Sequence, residues 1–247
     1  MKSYSILFGK IFSGIFLFVL LFIGCKKEES FSSLEGGQVA DVDGKTYKTI
    51  KIGDQWWMAE DLAVTHYRNG SVIQNLNAFD SLQWVATSSG AYCLYDLNPL
   101  SPGLLYNYFA VNDSSKLAPQ GWHIPSDVEW KQMEMFIGMS STEADKYAWR
   151  GNSEADKLKI CGIEAWSMHE AVWANNETGF SARAGGCRLF NSSWSSPSGI
   201  SYNGFWWSTT SFNGNEAMYR YLDYKSSKVF RSHVDQHYGF SVRCVKD

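Results

Sequence analysis

The longest apolar run of the chain lies close to its N-terminus, from Ile11 to Ile23. At roughly 13 residues it is shorter than the about 20 residues that a helix needs to cross a bilayer core. Lys2 and Lys10 give the segment a basic start, and the small residue Gly24 closes it. This layout predicts a secretory signal peptide over residues 1–24.

Cys25 follows that segment directly and precedes the polar run Lys26-Lys27-Glu28-Glu29-Ser30. The arrangement resembles a bacterial lipobox, in which the cysteine is lipidated and becomes the first mature residue, although Phe22 stands where leucine is usual. The Lys-Glu-Glu run also resembles a cell-surface signal of Bacteroidetes-type lipoproteins. The resemblance implies an outer-membrane protein that is held in the membrane by lipid on Cys25 and faces the cell exterior. The alternative is an ordinary signal peptide with a chance cysteine.

Beyond Cys25 the pattern becomes that of a tether and then of a folded domain. Residues 25–38 are mostly polar and small, which predicts a flexible tether, and residues 39–247 form the domain. Asp43-Gly44 is a strong hairpin signal between two short stretches rich in β-branched residues. Gly53-Asp54 is a second turn signal. The start of the domain is therefore predicted to be a β-meander.

Helical spacing appears in the middle of the chain. Ser126 and Glu129 form a capping box that begins a helix, and Gly138 ends it. A second capping box predicts another helix from Ser140 to Trp149. A weaker helical pattern covers residues 153–160.

Strand patterns return in the C-terminal part, at residues 180–184, 205–209, 217–224, 228–232 and 240–245. Residues 191–203 are rich in Asn, Ser and Gly and are predicted to be a loop. Strands, then helices, then strands indicate an α+β fold with a short, mostly antiparallel sheet, two or three helices and long loops.

The charge balance excludes one class of partner. The chain has 22 Lys and Arg against 25 Asp and Glu, and removal of Lys2 and Lys10 with the signal peptide leaves 20 against 25. The basic residues are not clustered, so nucleic acid is not expected as a partner. Aromatic residues make up 16% of the chain, with 11 Trp, which is enough for a large core and for a binding face as well.

Four cysteines remain once Cys25 is assigned to lipid: Cys93, Cys161, Cys187 and Cys244. An even number in an exported protein permits two disulfides, with three possible connectivities. Free buried thiols are the alternative. No CxxC pair and no zinc-finger spacing is present.

Eight segments, taken in order, carry a resemblance to a known family. They are DGKTY (43–47), IGDQWWMAEDL (52–62), GAYC (90–93), GLLYNY (103–108), PQGWHIPSDVEW (119–130), TGFSA (178–182), FWWSTT (205–210) and GFSVRCV (239–245). Together they resemble the Fibrobacter succinogenes major paralogous domain, which occurs in surface lipoproteins of Bacteroidetes and Fibrobacteres. The resemblance covers nearly the whole mature chain.

The helix entry WHIPSDVEW and the terminal GFSVR are also similar to the C-type-lectin-like fold and to its formylglycine-generating branch. That branch works through two copper-binding cysteines close together near the C-terminus. Here Cys244 alone lies there, so that activity is not expected. Cysteine is common in the family at the positions of Cys93 and Cys244, which implies the disulfides Cys93–Cys244 and Cys161–Cys187.

No residue pattern predicts a catalytic centre, a metal site or a cofactor. His169-Glu170 lacks the second histidine of a HExxH site, and His233 and His237 fall on strand and loop rather than on one helix face. The segment Asp41 to Gly44 is better explained as a hairpin turn than as a calcium loop. His123 is predicted to be a structural residue beside the helix N-terminus.

Aromatic residues in polar segments are the remaining candidates for binding. Trp194, Tyr202 and Asn203 lie in the predicted loop, and Trp173 precedes two asparagines. Aromatic faces stack on the apolar faces of sugar rings while amides contact the hydroxyls, so these four residues are predicted to bind a ligand. The alternative is that they only pack the core.

The function predicted from the sequence is non-catalytic binding of a glycan or of a protein partner by a lipid-anchored protein at the cell surface. An enzyme that acts on an extracellular polymer and a purely structural surface protein are the alternatives. Paired, perturbed carboxylates in one cleft would favour the enzyme.

Overall fold

Short β-strands make up most of the regular structure. The computed structural model describes residues 36–77, 80–94, 103–162, 165–167, 174–191 and 194–247. The elements are, in chain order, β1 (Gly36–Ala40), β2 (Thr46–Ile52), β3 (Gln55–Met58), β4 (Gln74–Asn75), α1 (Ser81–Ala86), β5 (Ala91–Cys93), β6 (Leu105–Tyr106), α2 (Tyr108–Val111), β7 (Trp122–His123), α3 (Asp127–Phe136), α4 (Ser141–Ala144), β8 (Ala148–Arg150), α5 (Glu154–Leu158), β9 (Gly185–Asn191), β10 (Trp194–Ile200), β11 (Asn203–Ser211), β12 (Glu216–Asp223), β13 (Val229–Asp235) and β14 (Val245–Lys246).

The strands form three sheets. One has the order β1-β2-β3-β14-β7, the second β10-β9-β11-β12-β13-β8 and the third β4-β5-β6. The pairs β9–β11 and β4–β5 are parallel, and the other strand pairs in the described residues are antiparallel. The fold is thus mostly β with few helices. Among the helices of the described segments, none combines the length and the apolar character needed to cross a bilayer.

The predicted meander and the predicted first helix are confirmed. Gly44 has a φ of +82° in the β1–β2 turn and Gly53 a φ of +62° in the β2–β3 turn, a backbone region that favours glycine. Helix α3 begins at the predicted capping box, with Ser126 at the N-cap and Glu129 three residues on. His123 contacts Glu129 at 2.7 Å and is therefore the structural residue that was predicted beside the helix start.

The predicted helix from Ser140 to Trp149 is wrong beyond its first turn. Helix α4 ends at Ala144, and residues 148–150 instead form β8, which pairs with β13. Ala148 has a φ of +63°, which a helix does not allow. Pairing with a strand some eighty residues away along the chain has overridden the local helical pattern, as tertiary context often does.

Two predictions in the C-terminal part are also wrong. Residues 191–203 were predicted to be a loop, but β10 spans most of them and pairs antiparallel with β9. Residues 180–184 are irregular apart from an isolated bridge between Lys159 and Ala182. The polar composition of β10 suits an edge strand, and that is its position in the sheet.

The six-stranded sheet lies between two hydrophobic clusters. Trp206 and Trp207 are both buried but belong to different clusters, one on each side of the sheet. The two indoles lie on opposite sides because successive side chains of a strand point to opposite faces. On the side of Trp206 lies helix α3.

Arg243 joins several of the segments that carry the family resemblance. Its side chain is 1% exposed and its Nε donates to Asp61 Oδ1 at 2.5 Å, and Trp206 Nε1 donates to the same oxygen at 2.8 Å. The guanidinium also donates to the carbonyl oxygens of Phe180 and Met58. These contacts fix distant parts of the chain to one buried cation.

Candidate functional site

Four aromatic side chains stand side by side across four strands of the six-stranded sheet. Phe205 in β11 is opposite Tyr221 in β12, Tyr221 is opposite Phe230 in β13, and Phe230 is opposite Trp149 in β8. We call Phe205, Tyr221, Phe230 and Trp149 the aromatic row. It lies on the face opposite to helix α3, because the alternate residues of the same strands point toward that helix.

The aromatic row starts in the core and ends at the surface. Phe205 stacks on the buried Phe240 at a centroid distance of 5.0 Å and on Tyr221 at 4.5 Å. Trp149 contacts Tyr221 and Phe230 at 5.1 Å each, and it is 40% exposed. The inner rings therefore pack against one another, and they hold the outer indole of Trp149 in place.

Local backbone strain places Trp149 at this end. Ala148 is an ordinary L-residue in the left-handed region, a conformation that is uncommon and is often found at functional sites. The turn of the chain at Ala148 separates two exposed aromatic side chains: Tyr147 lies on the helix side, over Arg231, and Trp149 lies in the aromatic row.

Next to the aromatic row lies a hydrogen-bonded group of Asn203, Tyr221 and Asp223, the polar triad. Asn203 Nδ2 donates to Tyr221 Oη and to Asp223 Oδ2, both at 3.0 Å, and Tyr221 Oη donates to Asp223 Oδ2 at 2.7 Å. Burial, together with the hydrogen bond to Asp223, raises the pKa of Tyr221 well above its ordinary value. The phenol thus stays neutral, and the spare lone pairs of the triad are acceptors.

The four residues predicted to bind a ligand have different outcomes. Asn203 is in the polar triad, and Tyr202 beside it is 48% exposed with its ring edge-to-face on Tyr224 at 5.1 Å. Trp194 begins β10, and its side chain lies outside the described part of the chain. Trp173 lies outside the described residues altogether. Asn203 is on the side of the aromatic row, whereas Tyr202 packs on Tyr224, which contacts the hydrophobic cluster on the side of α3.

The predicted disulfides are wrong. Cys93, Cys187 and Cys244 are free, buried thiols, which excludes both Cys93–Cys244 and Cys161–Cys187. Cys93 packs in a small cluster with Trp84, whereas Cys244 lies in the large cluster with Tyr47 and Trp207. Burial raises the pKa of the Cys93 thiol to about 11 and that of Cys187 to about 12, so both behave as small apolar residues.

A pair of buried carboxylates lies between helix α3 and the sheet. Asp127 and Glu134 of α3 are buried against Arg150, Arg220 and Arg231 of the sheet. Burial alone would raise the pKa of Asp127, but the hydrogen bonds and charges of Arg231 and Arg220 outweigh it and hold that pKa well below its ordinary value. The carboxylates act as counter-ions of the arginines.

Two further predictions concern metals and lipid. Within the described ranges, no group of three or more His, Cys, Asp and Glu side chains is arranged to hold a metal ion. Cys25, the predicted lipidation residue, lies outside the described residues.

Sequence reasoning missed Trp149, Phe205 and Phe230, and it did not single out Tyr221 or Asp223. A signal for part of the site was present, because alternation in the predicted strand 217–224 puts Tyr219, Tyr221 and Asp223 on one face. Trp149 gave no such signal, since its segment carries a helical pattern.

A comparison with protein families finds one match: the profile of the Fibrobacter succinogenes major domain matches residues 50–246. No curated protein matches the chain, and no solved structure does. The match begins at Ile50, within β2, and ends at Lys246 in β14, so it includes the aromatic row and most residues of both hydrophobic clusters. The chain therefore belongs to the Fibrobacter succinogenes major domain family.

Proposed function

We propose that this protein binds carbohydrate chains at the bacterial cell surface, without catalysis, through the aromatic row and the polar triad. The observation that carries the proposal is the 40% exposed indole of Trp149, which is held beside the hydrogen-bonded group of Asn203, Tyr221 and Asp223. A large apolar ring next to fixed polar atoms is what a sugar ring requires of a protein surface.

The indole supplies the apolar part of such a site. Trp149 rests on Tyr221 and Phe230, so its position is fixed before a ligand arrives, and little conformational entropy is lost on binding. Stacking of a pyranose on the exposed indole face would bury apolar area on both partners.

The polar triad supplies the directional part. Asn203 has both of its amide hydrogens engaged within the triad, and Asp223 and Tyr221 retain lone pairs. These atoms accept hydrogen bonds, and sugar hydroxyls donate them. Because each group of the triad is already oriented by the other two, the hydroxyls meet acceptors that need no reorganisation.

We also propose that the protein has three further features that its sequence predicts: a lipid anchor, a larger binding surface and a lectin-like arrangement. Lipid on Cys25 would hold the domain at the outer membrane, and Trp173 and Trp194 would add aromatic rings to the binding surface. The irregular sheets with long connections would correspond to a C-type-lectin-like arrangement. A protein partner at the cell surface is the second candidate ligand.

The test of glycan binding is a polysaccharide pull-down followed by calorimetry, with the full chain in detergent and with or without calcium. The panel contains xylan, mannan, a β-glucan and pectin. We expect binding to a neutral polysaccharide, and Trp149→Ala should weaken it at least about tenfold, because exposed aromatic anchors dominate such interfaces. Phe136→Ala is the matched control, since Phe136 is 66% exposed at the end of α3, away from the aromatic row.

Equal binding by the two variants would contradict the site, and failure to bind any member of the panel would move the proposal to a protein partner. The lipid is tested separately by labelling cells with a palmitate analogue. Incorporation into this protein should disappear in Cys25→Ala, and persistence of the label would contradict the anchor.

A further inference from the structure

A concave region of the surface lies at the end of β13 that is opposite to Phe230. It is an open cleft of about 310 Å³ between the segment before β5, the end of α2 and the turn after β13. Its walls include Ser89, Gly90, Phe109, Asn112, Asp113 and Gln236. The volume is at the lower end of the range for pockets that hold small molecules.

Behind one wall of this cleft lies a buried hydroxyl group without a hydrogen-bond partner among the described residues. Tyr67 is 6% exposed, and a Cβ atom at Gly90 would lie 1.8 Å from its oxygen. Burial and the nearby Asp113 carboxylate raise the pKa of Tyr67 to about 12, so the phenol stays protonated. Asp113 therefore acts on Tyr67 and also lines the cleft.

The chemistry of the walls selects the ligand. Asp113 gives the cleft one negative charge, and among the described residues no Lys or Arg lines it, which disfavours anions. Asn112 and Gln236 carry amides and Ser88 and Ser89 carry hydroxyls, so N–H and O–H donors stand beside the acceptors. A cation cannot use those donors, whereas a hydroxyl group uses both kinds.

We propose that this cleft binds one sugar unit or a similar neutral polyol, as a site separate from the aromatic row. Phe109 forms the apolar wall. Its ring meets His237 edge-to-face at 4.9 Å, and His237 in turn stacks on Phe190 at 4.6 Å. Asn112 is exposed at the end of α2, where its amide can reach a ligand without disturbing the helix.

The test uses the full chain in detergent with four probes of similar size: D-glucose, D-galactose, D-glucuronate and choline. Saturation-transfer NMR detects contact, and calorimetry gives the affinity. We expect one or both neutral sugars to bind in the millimolar range, and Asn112→Ala should weaken that binding about fivefold, as loss of one hydrogen bond does. Trp149→Ala should leave it unchanged.

Tyr67→Phe sharpens the test, because it removes the buried hydroxyl without changing the shape of the side chain. Tyr67 lies behind Gly90 and does not line the cleft, so weaker sugar binding in a variant that is as stable as the parent supports an effect of Tyr67 on the wall at Gly90 and Asp113. Stronger binding of choline or glucuronate than of either sugar would overturn the proposal, as would sugar binding that is lost in Trp149→Ala and kept in Asn112→Ala. Absence of saturation transfer to both sugars would also overturn it, and it would leave polysaccharide binding at the aromatic row untouched.

Discussion

The two faces of the six-stranded sheet are built from the same strands by opposite means. On the face toward α3, Arg150, Arg220 and Arg231 are 0–7% exposed and form ion pairs with Asp127 and Glu134. On the other face, alternate positions of the same strands carry the aromatic row. The first face buries charged side chains away from water, and the second face exposes apolar rings to water.

This difference distinguishes buried charged residues, which stabilise the fold, from exposed aromatic residues, which can bind a ligand. A buried charge tolerates no loss of its partner, because the remaining ion is stranded in a region of low dielectric. The outer indole of the aromatic row, by contrast, is 40% exposed and uncharged, so its removal leaves no buried charge without a partner. Unusual residues that stabilise the fold should therefore be found on the first face and those that bind a ligand on the second.

The strongest way to test this contrast is Glu134→Ala. Glu134 Oε1 accepts hydrogen bonds from Arg150 and Arg220, both at 2.7 Å, so the variant removes the carboxylate that pairs with buried Arg150 and leaves Arg220 with Asp127. We expect the free energy of unfolding in urea to fall by about 4–5 kcal/mol. Glu177→Ala is the control, because the Glu177 side chain is 60% exposed and its substitution should change little. A loss below about 1 kcal/mol for Glu134→Ala would contradict the role given to the buried face.

A smaller loss is expected from Arg243→Met. Arg243 is held by Asp61 and by main-chain carbonyls, and methionine would leave the Asp61 carboxylate with the indole of Trp206 as its remaining donor. We expect a loss of about 3 kcal/mol in the same urea measurement. Arg183→Met is the control at an exposed position. Equal stabilities of the two variants would show that the family segments are not joined through this cation.

The parts of the fold that the sequence predicted correctly are those with local causes. The turns at Gly44 and Gly53 follow from a backbone region that glycine enters freely, and the start of α3 follows from the reciprocal bonds of Ser126 and Glu129. Strand β8, by contrast, is not predicted by any local feature of the sequence. Its residues continue a helical pattern, and pairing with β13 overrides that pattern once the sheet exists.

The candidate site was harder to predict for the same reason. Asn203 was predicted because aromatic and amide side chains stand together in a polar segment. Trp149 becomes a neighbour of Tyr221 through the register of three strand pairs, and no single segment contains that information. The disulfides failed because a shared cysteine position in a family does not fix where two sulfur atoms lie.

The variant Tyr221→Phe separates the role of the ring from that of the hydroxyl group. It keeps the ring in the aromatic row and removes the hydroxyl group from the polar triad. Loss of the bonds to Asp223 and Asn203 should cost about 1 kcal/mol of unfolding free energy. Binding of the neutral polysaccharide should weaken several-fold, because the acceptors lose their orientation. Tyr224→Phe is the matched control. If Tyr221→Phe binds as tightly as the parent, the triad has no part in recognition.

The smallest expected effect lies at the rim of the buried face, where His123 bridges two carboxylates. Its Nε2 is 2.7 Å from Glu129 and its Nδ1 is 2.6 Å from Asp247. Burial alone would lower the pKa of His123, but the hydrogen bonds to Asp247 and Glu129 outweigh it and raise that pKa above 6.5. The pKa of Glu129 is lowered, because its bonds to Ser126 and His123 outweigh its burial.

The signs of these shifts define a window of pH. The contribution of charged His123 is complete below its unfolded pKa of about 6.5 and is lost as the pH rises through the higher folded value. The contribution of Glu129 is present above about pH 4.5 and is lost as the pH falls through its lower folded value. Wild type should therefore exceed His123→Gln in unfolding free energy most clearly near pH 5–6, by less than about 1 kcal/mol because the imidazole is partly exposed. Asp247→Asn should halve the difference, and a gap that grows above pH 8 would show that the bridge does not carry a charge.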